Sequence, residues 1–359
     1  MNSSGFFKKL TRDLPKLIER MLIGVVVVSL LLFALTAFGT LHGSKKEPKE
    51  ENKQSESAQS SDAPSEEART EASTTAETPT TAEEPETQTE SETAPETEAP
   101  YETEPRELVE IRSLGTGEIN EIAEKYDREI HRYIIGYEDV AVDENNRPVY
   151  GNDLLATFSG LDAKVKVYCA DENTPRAALS FMAGNDASCT EEVLNILKDS
   201  GVQAVFFVTH TFAADHPDLV NRMISEGHEI GNYSYTDPQE GVANLEPLDQ
   251  VFEAFNMQRY MDLAFDYNMQ RYCFNRSSWS QLAVMLTAEM GYEVCFSSVN
   301  FQDDDPGLQL DDAAVLAGLE KNLHNGAVYG FHLNNGLIVR ILPDLISFIR
   351  EQGFQLIPM

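Results

Sequence analysis

A chain of 359 residues with 42% hydrophobic content can bury a sizeable core, and its formal charge of −33 excludes nucleic acid and anionic membrane surfaces as default partners. The charge is unevenly placed. Between positions 47 and 104, eighteen acidic residues stand against three basic ones (Lys49, Lys53, Arg69), so that one segment carries −15 of the total.

Residues 1–20 form a basic tail with Lys8, Lys9, Arg12, Lys16 and Arg20, followed at 21–41 by about twenty residues without a charge. At about 1.5 Å per residue, a helix of that length crosses a hydrocarbon core roughly 30 Å thick. The run predicts a transmembrane signal-anchor helix. The cations ahead of it outnumber Lys45, Lys46 and Lys49 behind, which orients the tail to the cytoplasm and the remaining chain outside. A cleaved signal peptide is the alternative, since Ala34, Ala37 and Gly39 are small, but leaders of that kind have apolar cores of only about 7–15 residues. Either reading exports the rest of the chain.

Residues 42–105 predict a disordered acidic linker rich in Thr, Ser, Pro and Glu. No Leu, Ile, Val, Met or aromatic residue occurs at positions 45–100, so nothing there offsets the entropy of ordering the chain. A flexible chain of ~55 residues spans about 40 Å, and charge repulsion extends it. Residues 106–175 predict an N-terminal extension packed on the domain that follows. Within it, residues 118–130 place Ile119, Ile122, Ala123, Tyr126 and Ile130 at the spacing of one amphipathic helix.

From Arg176 onward, strand and helix patterns alternate. Strand-like runs fall near 177–183, 203–208, 228–232, 271–274, 292–298, 326–331 and 354–357. Ser188-Cys189-Thr190-Glu191 fits a capping box, Asp215 precedes a proline-containing first turn, and Gly227 sits where glycine ends a helix. Such alternation predicts an α/β fold on a parallel sheet.

Four strings narrow the reading: Ser180-Phe181-Met182-Ala183-Gly184; the segment from His216 and Pro217 through Gly227, His228 and Ile230; Gly231-Asn232-Tyr233-Ser234-Tyr235-Thr236-Asp237-Pro238; and Val328-Tyr329-Gly330-Phe331-His332-Leu333. Over residues 157–357 they resemble the polysaccharide deacetylase family (NodB homology, carbohydrate esterase family 4), nearest to its spore-wall and peptidoglycan branch. The resemblance implies a distorted (β/α) barrel of about seven parallel strands over residues 176–359, with the site at the C-terminal strand ends. It also implies amide hydrolysis with a divalent metal such as zinc, using a general base and a ligand from the motif Thr-Phe-Asp-Asp-Gly and two histidine ligands from Gly-Asn-His-Ser-x-x-His-Pro.

This chain departs from that pattern at each of those places. Met182 and Ala183 stand where the base and a ligand belong; methionine cannot take a proton from water and alanine has no ligand atom. Tyr233 and Asp237 replace the two histidines. Cys273-Phe274-Asn275-Arg276-Ser277-Ser278-Trp279 occupies the place of Phe-Arg-Pro-Pro-x-Gly and lacks its proline pair, leaving Arg276 as a cation. Asp303, Asp304 and Asp305 fall near a supporting aspartate but also suit a solvated turn before Pro306. His332 aligns with the family's general acid. An acid alone has little to protonate until water is activated.

No metal or other cofactor is expected, because three convergent ligands are lacking. The expected activity is that of a membrane-anchored pseudoenzyme outside the cytoplasm that binds cell-wall glycan, with Tyr235, Trp279 and Phe301 as aromatic candidates for a glycan groove. Two alternatives stay open: a rebuilt deacetylase using Asp237, His332 and Asp303, and a scaffold for envelope proteins. Cys169, Cys189, Cys273 and Cys295 have no zinc spacing; Cys273 and Cys295 fall on consecutive strands, either as buried thiols or as a disulfide. Two copies of Asn-Met-Gln-Arg-Tyr, at 256–260 and 268–272, are expected to end a helix and to enter a strand. Leu248, Val251, Phe252 and Phe255 are expected to be that helix's packing stripe.

Overall fold

The structure, a computed structural model, describes residues 108–133, 140–300, 310–334 and 336–359. The expected basic tail, transmembrane helix and acidic linker lie outside the described residues, as do Asp303 and Phe301. Among the described residues, no helix is long and apolar enough to cross a membrane.

The N-terminal extension contributes α1 (Thr116–Lys125), β1 (His131–Arg132), α2 (Val149–Phe158) and β2 (Val165–Lys166). α1 is shorter than its periodicity predicts. Tyr126 turns to extended backbone (φ −117°, ψ 146°), and Ile130 is exposed beyond it. What holds the extension down is non-local: Arg112 N–H donates to the Met290 carbonyl, and the Val109 carbonyl accepts from Asn268 and Gln270.

The alternating region follows with β3 (Arg176–Ala183), α3 (Thr190–Asp199), β4 (Val205–Thr209), α4 (His210–Asp215), α5 (Pro217–Ser225), β5 (Glu229–Ser234), α6 (Pro247–Phe265) and β6 (Arg271–Tyr272). After these come β7 (Ser278–Trp279), α7 (Gln281–Glu289), β8 (Glu293–Cys295), β9 (Val299–Asn300), α8 (Asp312–Lys321), β10 (Ala327–His332), α9 (Leu337–Glu351) and β11 (Gln355–Leu356). The main sheet is parallel throughout, in the order β2-β8-β6-β5-β4-β3-β10-β9, with β11 on the start of β3. Its end strands β2 and β9 do not pair. Among the described residues the sheet is thus a curled half-barrel of nine short strands, where the resemblance implies a barrel of about seven. β1 and β7 make a separate antiparallel ribbon, with His131 opposite Trp279 and Arg132 opposite Ser278.

The period-2 alternation of the strands sorts their side chains into two cores. Leu179, Phe181, Ala183, Phe206, Val208, Tyr329 and Phe331 face outward into the large core shared with the helices. Ala178, Met182, Val205, Phe207, Tyr233, Cys295 and Val328 fill the inner face of the curl. Two glycines make that filling possible. A Cβ on Gly231 would lie 2.5 Å from the Phe207 ring, and one on Gly330 would lie 2.3 Å from Ser297 Oγ.

Several local expectations need correction. Ser188 does not cap α3: its N–H donates to Asp186 Oδ1 (2.8 Å), and Cys189 is the N-cap without a side-chain bond. α6 runs past the first pentapeptide copy to Phe265 and buries Val251, Ala254, Met257 and Met261, whereas Leu248 and Phe252 are more than half exposed. The apolar face is therefore rotated from the predicted stripe. Pro217 opens α5, and Gly227 follows it with φ +84°, both as expected.

Candidate functional site

The C-terminal ends of β3, β5 and β10, with the loop after β6, surround a cavity of ≈110 Å³. Met182, Tyr233 and His332 line it because each takes the inward position at the end of its strand. Met182 lies beside His332 in the β3–β10 register, and the Leu333 N–H donates to the Met182 carbonyl at 3.2 Å. Ala183, one residue on, takes the opposite face and packs with Val208 in the outer core. Tyr233 Oη and His332 Nε2 share a hydrogen bond of 3.4 Å.

Asp237 is held by other groups. Its Oδ1 accepts from Asn275 Nδ2 at 2.9 Å and its Oδ2 from Arg276 Nη2 at 3.2 Å. Asn275, fully buried, also donates to the Pro238 carbonyl and accepts from the Val242 N–H, so it ties the loop after β5 to the loop after β6. Asp237, Arg276 and Ser277 all have left-handed φ, at 49°, 57° and 49°. Three such non-glycine residues together store strain of about 1 kcal/mol or more each, which the Asn275 network holds in place. Glu253 of α6 braces the same loop by accepting from the N–H groups of Tyr235 and Thr236 and from the Thr236 hydroxyl.

These residues do not fit a zinc site. Ala183 has no ligand atom and faces the helices, the Tyr233 hydroxyl engages His332, and the Asp237 carboxylate is bound by Asn275 and Arg276. Among the described residues, no three His, Cys, Asp or Glu side chains converge as a metal site would require.

Of the aromatic groove candidates, Tyr235 lies away from the cavity in a cluster with His210 (4.3 Å) and Phe252 (6.2 Å). Trp279 is 5% exposed, with His131 stacked on it at 4.7 Å and Phe158 at 5.6 Å, so its ring is not offered as a platform. The cavity instead takes Arg132 and Tyr133 from the extension, and Phe296 and Ser297 from the end of β8. Sequence reading missed them. A two-residue strand has no periodicity to detect, and only its pairing with β7 brings it to the barrel mouth.

Cys273 and Cys295 directly follow the paired residues Tyr272 and Val294, and both face the inner core as free thiols. Burial pushes both above the ordinary thiol value, so they are poor nucleophiles. Below them Arg271, 4% exposed, bonds Glu229 Oε2 at 2.7 Å and pairs with Glu293, making an ionic floor under the apolar middle.

The family model for polysaccharide deacetylases matches residues 170–295. The peptidoglycan-N-acetylmuramic acid deacetylase PdaA of Bacillus subtilis is 28% identical over 207 residues, covering 58% of this chain and 77% of that protein. A chitooligosaccharide deacetylase of Sinorhizobium fredii is 30% identical over 192 residues, covering 50% of this chain and 88% of that one. The solved structure of Bacillus subtilis PdaA, a family 4 carbohydrate esterase, superposes with a TM-score of 0.57 at 26% identity over 65% of this chain and 96% of that one. With the half-barrel and the matched motifs, this likeness establishes that the chain belongs to the polysaccharide deacetylase family.

Proposed function

We propose that the chain is a membrane-anchored, extracytoplasmic member of the family that binds cell-wall glycan, such as peptidoglycan, without deacetylating it. The observation carrying this reading is the mouth of the half-barrel, where Met182 and Tyr233 line the cavity with a thioether and a phenol while Asp237 is committed to Asn275 and Arg276. A water there has neither a set of metal-ligating side chains nor a free carboxylate among the described residues to activate it. His332 then serves the cavity as a hydrogen-bonding group. The charge-free run at 21–41 and the cations before it support the anchor, and the acidic segment after it supports a spacer that holds the barrel away from the lipid.

Purified full-length protein should contain no stoichiometric zinc, release no acetate from peptidoglycan or chitooligosaccharides, and still bind peptidoglycan fragments. Zinc at one equivalent together with acetate release, lost in His332→Ala, would establish the rebuilt hydrolase instead. Capture of envelope proteins with no glycan affinity would favour a scaffold.

A further inference from the structure

The described wall of the cavity holds two arginines, Arg132 and Arg276, together with His332, and neither an aspartate nor a glutamate. The described wall is thus cationic within a chain of net charge −33. Arg132 is exposed and forms no salt bridge among the described residues. Arg276 gives one nitrogen to Asp237 and keeps its other donors.

Tyr133 adds an independent observation. It is 4% exposed, it lines the cavity, and its hydroxyl has no hydrogen-bond partner among the described residues. A buried hydroxyl without a partner is destabilising, so such a group calls for an explanation. Tyr150 and Phe296, each 5.1 Å from it between ring centroids, hold the ring in place. Burial raises the Tyr133 phenol well above its ordinary value, with a contribution from Cys273 on the cavity wall, so it stays a neutral donor.

We propose that this cavity receives a small carboxylate, free or carried on a sugar, with Arg132 and Arg276 supplying charge and Tyr133 Oη a hydrogen bond. The proposal rests on the reading that the cavity binds without hydrolysing. Size agrees with it: a volume of ≈110 Å³ far exceeds the roughly 10–15 Å³ that one water needs and falls short of the roughly 300 Å³ at which pockets enclose whole ligands. It suits a substituent of a few heavy atoms.

Calorimetric titration of the full-length protein with sodium acetate, sodium glucuronate and neutral N-acetylated chitotriose tests this. Both carboxylates should bind and weaken with added salt; glucuronate binding well above acetate assigns a sugar-borne source, and equal binding a free one. Arg132→Gln and Tyr133→Phe should each weaken carboxylate binding about tenfold or more, in line with hydrogen bonds to charged groups. Tyr133→Phe should melt at the same or a higher temperature than the parent, which separates a ligand role from a structural one. Chitotriose binding as tightly as glucuronate, or carboxylate affinity unchanged in Tyr133→Phe, overturns the proposal and leaves glycan binding standing. Carboxylate binding through Arg132 and Tyr133 without affinity for chitotriose or peptidoglycan fragments keeps the proposal and removes the glycan reading.

Discussion

Arg271 stands in the floor of the curl with its guanidinium between Glu229 and Glu293, all three near the N-terminal strand ends. Removing one partner of such a buried set leaves charge without compensation, a loss of about 3–5 kcal/mol. Arg271→Met should therefore lower the urea midpoint sharply, and Arg271→Met combined with Glu229→Gln and Glu293→Gln should recover much of the loss. An Arg271→Met variant as stable as the parent would remove the ionic floor from the account. The sequence shows Arg271 only as part of a repeated pentapeptide. Its copy Arg259 is exposed on α6, although the methionine and glutamine of both copies are buried, so only the fold tells the two arginines apart.

At the scale of elements, α6 shows where pattern reading reaches its limit. Residues 248–255 contain apolar side chains on more than one face, and the sheet decides which face is covered. Met257→Ala, at a fully buried position, should cost about 2–5 kcal/mol in denaturant unfolding. Phe252→Ala, at 53% exposure, should cost about 1 kcal/mol or less, through lost contact with Tyr235. Equal losses would mean the helix is rotated from the orientation described. β3, β4 and β10 were legible because each is a largely apolar run, as both faces of the sheet are buried; β5, with Glu229, Asn232 and Ser234, was legible through the family resemblance. β1, β2, β7 and β9, each of two residues, were not, whereas the equally short β6 and β11 lie inside the runs at 271–274 and 354–357. The ribbon of β1 and β7 nonetheless sets the cavity wall, since it brings Arg132 and Tyr133 to the strand ends.

For the whole molecule, two buried histidines set a pH dependence. His228 accepts from the Ala204 N–H through Nδ1, and His324 is held between Ser298 and the Asn322 carbonyl; burial lowers both to about 4 from 6.5. Between those values the unfolded chain binds protons that the folded chain excludes. Stability is therefore complete above about pH 6.5, falls as pH drops toward 4, and stops falling from this source below that. Thermal melts from pH 7.5 to 4.5 should show a loss on the order of a few kcal/mol, reduced in the His228→Gln, His324→Gln double variant. A midpoint that is flat across that window would contradict it. By itself the sequence determined the alternating α/β order, the family, and the residue types at Met182, Ala183 and Tyr233, since residue type alone decides whether an atom can bind a proton or a metal. Tertiary structure decided that Ala183 faces the helices, that Asp237 is taken up by Asn275 and Arg276, and that Arg132 and Tyr133 join the cavity. Those outcomes depend on strand register and on contacts between residues far apart in the chain, which no local pattern encodes.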